Sequence, residues 1–331
     1  MRVRHGFLLT ATCCVLVSCS SSRHDPTEHY YLVAANIKVP YWQTAGAGLV
    51  QAANDIKVAA DLVGPDTYDP AAEHEAFQHA LGKKPTGFMV QATDVKVLQP
   101  DIDAAVAQGI PVISIDSDDP ASKRLLFIGT NNHQAGLTGG RLAAKLTGGK
   151  ANVVVYTIPN QPNLEERMHG YKDAFAENPG MKIVQVVDMK GEEGTTFDAT
   201  KAILGDAKIK PDAFVCLEAI ACKVVADVLN REHATGKVVV AMDTDHGTLD
   251  WIQKGVINAT IAQKPYTMAY FGLQLLDDIH HSKTPQQTGA NNTFDTLPAF
   301  VDTGTTMVDK SNVDEYIKAL DAATAKKPTG T

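Results

Sequence analysis

The chain has 331 residues, 44% of them apolar, and a formal charge of −8 at neutral pH. That length and apolar content can fill a core of two-domain size and exclude a disordered chain. A net acidic chain without runs of Lys or Arg argues against nucleic acid as the partner.

In chain order, the first element is a processing signal. Arg2, Arg4 and His5 precede the apolar run Gly6 to Val17, and Ser18-Cys19 follow. A basic start, a short apolar run and a small residue before the cut define an export signal over residues 1–18; the run is too short to span a bilayer. Leu16-Val17-Ser18-Cys19 resembles a bacterial lipobox, which makes Cys19 the expected lipidation site. An ordinary signal peptide with an incidental cysteine is the alternative. Residues 19–29 are polar and without apolar period, and are expected to form a flexible tether.

From Tyr30 onward, short β-rich runs alternate with helical patterns. Strands are predicted at Tyr31 to Ile37, Val58 to Val63, Gly87 to Gln91, Pro111 to Ile115, Leu125 to Ile128, Ala151 to Tyr156, Lys182 to Val187, Ala213 to Leu217, Lys237 to Met242 and Ala259 to Ala262. Helices are predicted between most of them, as at Val97 to Gln108, Gln134 to Leu146, Leu164 to Glu177 and Ile220 to Arg231. Strand–helix–strand repeated this often implies parallel sheets covered by helices on both faces. The continuous runs Val153-Val154-Val155 and Val238-Val239-Val240 fit such doubly covered strands. Ten strands are too many for one comfortable open sheet. The expected fold class is therefore α/β with two doubly wound parallel-sheet lobes and a seam near Gly129-Thr130-Asn131-Asn132. Cys13 and Cys14 leave with the signal. Cys216, in an apolar strand, and Cys222, in the next helix, read as two small buried hydrophobes rather than a bridge.

In parallel α/β sheets ligands meet the carboxyl ends of the strands, where loops converge and helix N-termini point inward. Those ends carry Asn36-Ile37-Lys38-Val39-Pro40-Tyr41-Trp42, then Asp116, then Asn160-Gln161-Pro162-Asn163 leading to Arg167, then Glu218, Asp243 and Gln263. Each has a plainer reading alone: a helix cap for the acids, a solvated helix charge for Arg167, lobe core for Tyr41 and Trp42, a strand or helix cap for Gln263. Together they suit a polyhydroxylated ligand. Carboxylates accept hydroxyl protons, a guanidinium donates a planar pair, an amide does both, and aromatic rings cover the C–H faces of a sugar.

These segments resemble the substrate-binding proteins of bacterial sugar ABC transporters, of the ribose-binding type, from Tyr31 to about Asn312. Val39-Pro40-Tyr41-Trp42 resembles that family's Asn-Pro-Phe-Phe loop, and Gly109 to Asp116 its "GIPVITLD" strand. Ile128 to Gly136 resembles its hinge and following helix, Arg167 to Tyr171 its "RxxGF" helix, and Met242-Asp243 its "GFD" strand end. Ala259-Thr260-Ile261-Ala262-Gln263, followed by Pro265, is the most specific match. The resemblance implies a periplasmic binding protein type I fold, with lobes 30–130 plus 264–290 and 131–263 plus 291–312, and a C-terminal helix and tail over 313–331. The three hinge crossings are expected near Thr130, near Gln263-Lys264 and between about Gly289 and Leu297, before a late strand at Ala299 to Asp302. It also implies a ligand site made of Lys38, Tyr41, Trp42 and Asp116 on one lobe, facing Arg167, Glu218, Asp243 and Gln263. Ala variants of Asp116, Arg167 and Asp243 are expected to lose affinity and stay folded.

The protein expected from this resemblance is a monomeric, membrane-anchored lipoprotein of the periplasm or cell surface. It takes a sugar or polyol to an ABC permease, without cofactor, metal or catalysis. Val39, Ser117 and Leu217-Glu218 depart from the family pattern and point to a ligand other than ribose, with Lys38 as an added donor. A receptor for a furanosyl signal of the autoinducer-2 type is the second reading, since such receptors resemble this chain and also place a Lys after the first strand. A secreted hydrolase is the third, but no Gly-x-Ser-x-Gly elbow, His-Glu-x-x-His or phosphate loop is present. The best metal candidates, Asp243-Thr244-Asp245-His246 and His280-His281, read as a helix-entry turn and an exposed helix end. A sugar-responsive repressor needs an N-terminal helix-turn-helix where the export signal stands.

Overall fold

The computed structural model describes residues 24–25, 27–281 and 297–324. The signal over 1–18, Cys19 and the first part of the expected tether lie outside the described residues. The elements run β1 (His29–Val33), α1 (Pro40–Ile56), β2 (Ala59–Val63), α2 (Pro70–Leu81), β3 (Gly87–Val90), α3 (Val95–Ala107), β4 (Val112–Ile115), β5 (Phe127–Gly129), α4 (Asn132–Leu146), β6 (Lys150–Thr157), α5 (Pro162–Ala176), β7 (Gly180–Asp188), α6 (Glu193–Gly205), β8 (Ala213–Cys216), α7 (Ala221–Arg231), β9 (Val238–Met242), α8 (His246–Gln253), β10 (Ala259–Ala262), α9 (Pro265–His281), β11 (Phe300–Asp302), β12 (Thr306–Asp309) and α10 (Val313–Thr324).

They form two six-stranded sheets, ordered β11-β5-β4-β3-β1-β2 and β12-β10-β9-β8-β6-β7. All pairings are parallel except β10 with β12. Strands β3, β4, β5, β8 and β10 are buried along their whole length, as strands covered on both faces must be. The two-residue period of β1 splits its side chains between two cores. Tyr30 and Leu32 join Trp42, Leu49, Met268 and Leu273 under α1 and α9, while Tyr31 and Val33 join Phe77, Leu98 and Ile102 under α2 and α3.

The chain passes between the lobes after β5, after β10 and between β11 and β12. The third passage corrects the expectation. Phe300–Asp302 belongs to the first sheet, paired in parallel with β5, because the Phe127 and Phe300 rings stack with centroids 5.0 Å apart. The crossing therefore falls at Thr303-Gly304-Thr305, where Gly304 takes a φ of +71° open to glycine. Thr303 Oγ1 donates to Gly129 O at 3.0 Å, and Asn131 N donates to Asp302 Oδ1 at 3.1 Å, which lashes this crossing to the first one. Strand β12 was not anticipated: it is four residues long, with Val308 its one fully buried side chain.

Two further expectations are corrected. Residues 24–25 and 27–29 are not a free tether, because Glu28 is buried and bonded to His24 and His281, and His29 already pairs in β1. Cys216 and Cys222 are joined in a disulfide, with Cα atoms 5.7 Å apart. The turn from β8 into α7 brings the two cysteines within the Cα separation that a bridge requires. Opening so short a loop, by reductant or in a Cys216→Ala/Cys222→Ala double variant, is expected to lower unfolding free energy by about 2 kcal/mol, read from denaturant midpoints.

Helices α4 and α5 meet backbone to backbone. A Cβ on Gly136 would lie 2.1 Å from Arg167 O, and one on Gly170 would lie 2.1 Å from His133 O. Only glycine permits this approach, and it sets the depth at which α5 carries Arg167.

Candidate functional site

Strands β4 and β9 end in the same way. The next residues, Asp116 and Asp243, both adopt left-handed backbone, with φ of 64° and 65°. Asp tolerates this conformation better than most residues. Each N–H donates to the neighbouring strand, Asp116 N to Ile128 O at 3.1 Å and Asp243 N to Ile261 O at 3.0 Å. Two equivalent turns thus present two buried carboxylates to one pocket, one from each lobe.

Asp116 accepts from Tyr41 Oη at 2.6 Å, from Gln91 Nε2 at 3.2 Å and from Asn163 Nδ2 at 3.1 Å. Asn163 opens α5, so this last bond spans the gap between lobes. Asp243 accepts from Gln263 Nε2 at 3.1 and 3.2 Å, and Gln263 Oε1 accepts from Arg167 Nη2 at 3.3 Å. Arg167 is 1% exposed and also donates to Leu217 O and Asn132 Oδ1. Its Nε and the Oε1 of Gln161, both buried, have no partner among the described residues. These side chains line a small pocket of about 60 Å³, which shares residues with a cleft of about 770 Å³ between the lobes.

Seven of the eight residues expected from the sequence line the small pocket: Tyr41, Trp42, Asp116, Arg167, Glu218, Asp243 and Gln263. Lys38 does not. It lines the wider cleft, with its side chain 65% exposed and Nζ 3.9 Å from Asp66 Oδ1. Glu218 lines the pocket, yet both its oxygens accept N–H groups opening α7, from Ile220 and Ala221 at 2.7 Å, so it also serves as the cap of that helix. Trp42 belongs both to the pocket and to the first core. Gln91 and Tyr68 were missed, and Asn36, Gln161 and Asn163 were noted only as parts of strand-end segments. Gln91 had a signal, being the polar end of the third predicted strand; Tyr68, in a loop, had none.

Burial raises the carboxyl pKa values here. Burial pushes Asp243 up to about 7, against the Arg167 charge that lowers it and with Asp116 adding to the rise. Burial pushes Glu218 up to about 7 against its two backbone N–H bonds. Asp116 is raised by burial, opposed by Tyr41, Arg167 and Gln91. A carboxyl with its pKa raised by folding holds its proton more tightly when folded. The stability it contributes is present below its ordinary value, 3.8 for Asp243, and is lost as pH climbs towards 7. The melting temperature of the ligand-free protein is therefore expected to fall from pH 5 to pH 8. Affinity for a ligand that donates hydroxyl protons to Asp243 is expected to rise over the same window, as titration calorimetry at several pH values will read.

Two α/β lobes joined by three crossings among the described residues, with a polar pocket walled by both, define the architecture of a two-lobed binding protein. The family model described as a periplasmic binding protein domain matches residues 30–283, and the chain belongs to that family. It is a binding protein, not an enzyme. It is similar to AraP, an arabinose-binding protein of Geobacillus stearothermophilus, with 32% identity, a TM-score of 0.73, and 88% of this chain and 99% of that one covered. The sugar-binding protein of a sugar ABC transporter from Bacillus halodurans is 33% identical, with a TM-score of 0.75 and 87% and 99% covered. The ribose import binding protein of Bacillus subtilis (strain 168) is 24% identical over 209 residues; the match spans 60% of this chain and 65% of that protein.

Proposed function

We propose that this protein binds a monosaccharide or polyol between its lobes, outside the cytoplasm, and delivers it to an ABC transporter permease. The observation that carries the reading is the pair of strand-end carboxylates, Asp116 and Asp243, facing one pocket from opposite lobes beside Arg167 Nε and Gln161 Oε1, which have no partner among the described residues. A sugar's vicinal hydroxyls supply both donors and acceptors to such a set. On entry they exchange with the Tyr41, Gln91 and Asn163 bonds that saturate Asp116, and the ligand favours the closed state by binding both lobes at once. Similarity to arabinose- and ribose-binding proteins supports the ligand class. The departures at Val39, Ser117 and Glu218 favour a sugar other than ribose. The furanosyl-signal reading rested on Lys38, and an exposed Lys38 on the cleft rim does not favour it.

The test is mass spectrometry of small molecules released from the purified protein, followed by titration of the candidates found. A pentose, hexose or polyol that rebinds one-to-one supports the proposal; a released solute of another class that rebinds overturns it. The lipid anchor at Cys19 and monomeric delivery to a permease belong to the same reading. Cys19→Ala is expected to release the protein from membranes or block its maturation, since stable anchoring needs the attached acyl chains. Unchanged lipid labelling in that variant would count against the anchor.

A further inference from the structure

Far from the sugar pocket, two stretches widely separated in sequence bring together four groups of metal-binding type. His24 and Glu28 precede β1, and Asp277 and His281 lie one turn apart near the end of α9. One ligand atom from each lies within 4.8 Å of all the others. His24 Nδ1 is 3.1 Å from Glu28 Oε2 and 3.3 Å from Asp277 Oδ1. His281 Nε2 is 3.3 Å from the same Glu28 oxygen and 3.4 Å from the same Asp277 oxygen. The four atoms thus alternate nitrogen and oxygen around one point.

We propose that His24, Glu28, Asp277 and His281 bind a divalent transition metal, zinc above all. Ligands about 2.0–2.1 Å from a tetrahedral zinc ion stand roughly 3.3–3.4 Å from one another, close to the four nitrogen–oxygen separations here, with the nitrogen–nitrogen and oxygen–oxygen pairs within 4.8 Å. Two imidazoles with two carboxylate oxygens match zinc, whereas magnesium and calcium favour all-oxygen sites. The carboxylates are placed as ligands are. Glu28 and Asp277 are buried, the second Glu28 oxygen accepts from Asp25 N at 2.9 Å, and Tyr30 Oη donates to Asp277 Oδ1 at 3.1 Å, the kind of outer contacts that orient metal ligands.

The cluster sits before the start of β1, while the loop after β1 carries Asn36 into the sugar pocket, so the two sites occupy opposite ends of the strand. The metal acts as a clasp. It fastens the segment that begins five residues after Cys19 to the body of the first lobe, and so limits how an anchored protein can swing.

The test uses the full chain, purified in detergent on a tag without histidine, stripped with EDTA, dialysed, and titrated with zinc chloride. One equivalent is expected to bind with submicromolar affinity and to raise the melting temperature. His24→Ala and His281→Ala are each expected to weaken zinc binding by about 100-fold or more, since even outer partners of a ligand are worth 10- to 100-fold. His133→Ala, on α4, should leave it unchanged, and sugar affinity should survive EDTA. Absence of stoichiometric zinc uptake, or equal uptake by the wild type and both clasp variants with their cooperative melts intact, shows an ion-paired cluster only and overturns the proposal.

Discussion

Replacing Arg167 with methionine is expected to cost roughly 3–5 kcal/mol of stability and to weaken ligand binding by about 100-fold or more. Methionine keeps much of the volume but removes the donors that hold Leu217 O, Asn132 Oδ1 and Gln263 Oε1. Three buried acceptors are stranded, and Asp116 and Asp243 lose the positive charge that lowers their pKa values. The sequence alone suggested that an Arg167 variant loses affinity and stays folded. Its burial changes that expectation: the guanidinium ties α5 to α4, to the end of β8 and to the crossing after β10. Denaturant midpoints and calorimetric titration separate the two effects. A variant with wild-type stability and affinity would remove Arg167 from both roles.

The second large effect is expected at the paired carboxylates. Asn is the sharper substitution, because it tolerates the left-handed backbone at φ 64° and 65° that a bulkier side chain strains. Asp116→Asn and Asp243→Asn each exchange a charged acceptor for an amide and are expected to lose about ten- to a hundredfold in affinity, roughly 1–3 kcal/mol. They should differ in pH response. The Asp243 carboxyl, held near 7 by burial, drives the rise in affinity from pH 5 to pH 8, so Asp243→Asn should flatten that rise while Asp116→Asn keeps it. Both variants should melt cooperatively, since neither carboxylate fills core volume.

Much of the architecture was legible because it rests on local pattern. Continuous apolar strands alternate with helical runs, and β10 falls at Ala259–Ala262 as its alternation predicts. Gln263 was legible as the polar residue closing that strand, and it bridges Arg167 to Asp243. The features that escaped depend on contacts distant in sequence or on turn geometry. The late strand itself was expected, but not its sheet: β11 pairs with β5 in the first lobe, where Phe300 stacks on Phe127, and no local period announces that pairing. The Cys216–Cys222 bridge follows from how tightly β8 turns into α7. Arg167 carries the same charge on the same helix whether it faces water or the core, and only the glycine-mediated approach of α4 and α5 decides. His24 and Glu28 read as solvated polar residues because Asp277 and His281, which they meet, are some 250 positions away.

The central claim is that the two strand-end carboxylates hold a sugar between the lobes. Calorimetric titration of the wild type and an Asp116→Asn/Asp243→Asn double variant, against a panel of pentoses, hexoses and polyols, tests it most directly. The expected result is one-to-one binding of at least one panel member by the wild type, weakened by about 100-fold or more in the double variant. Binding of that sugar with equal affinity by both proteins, or of none by the wild type, would contradict the account.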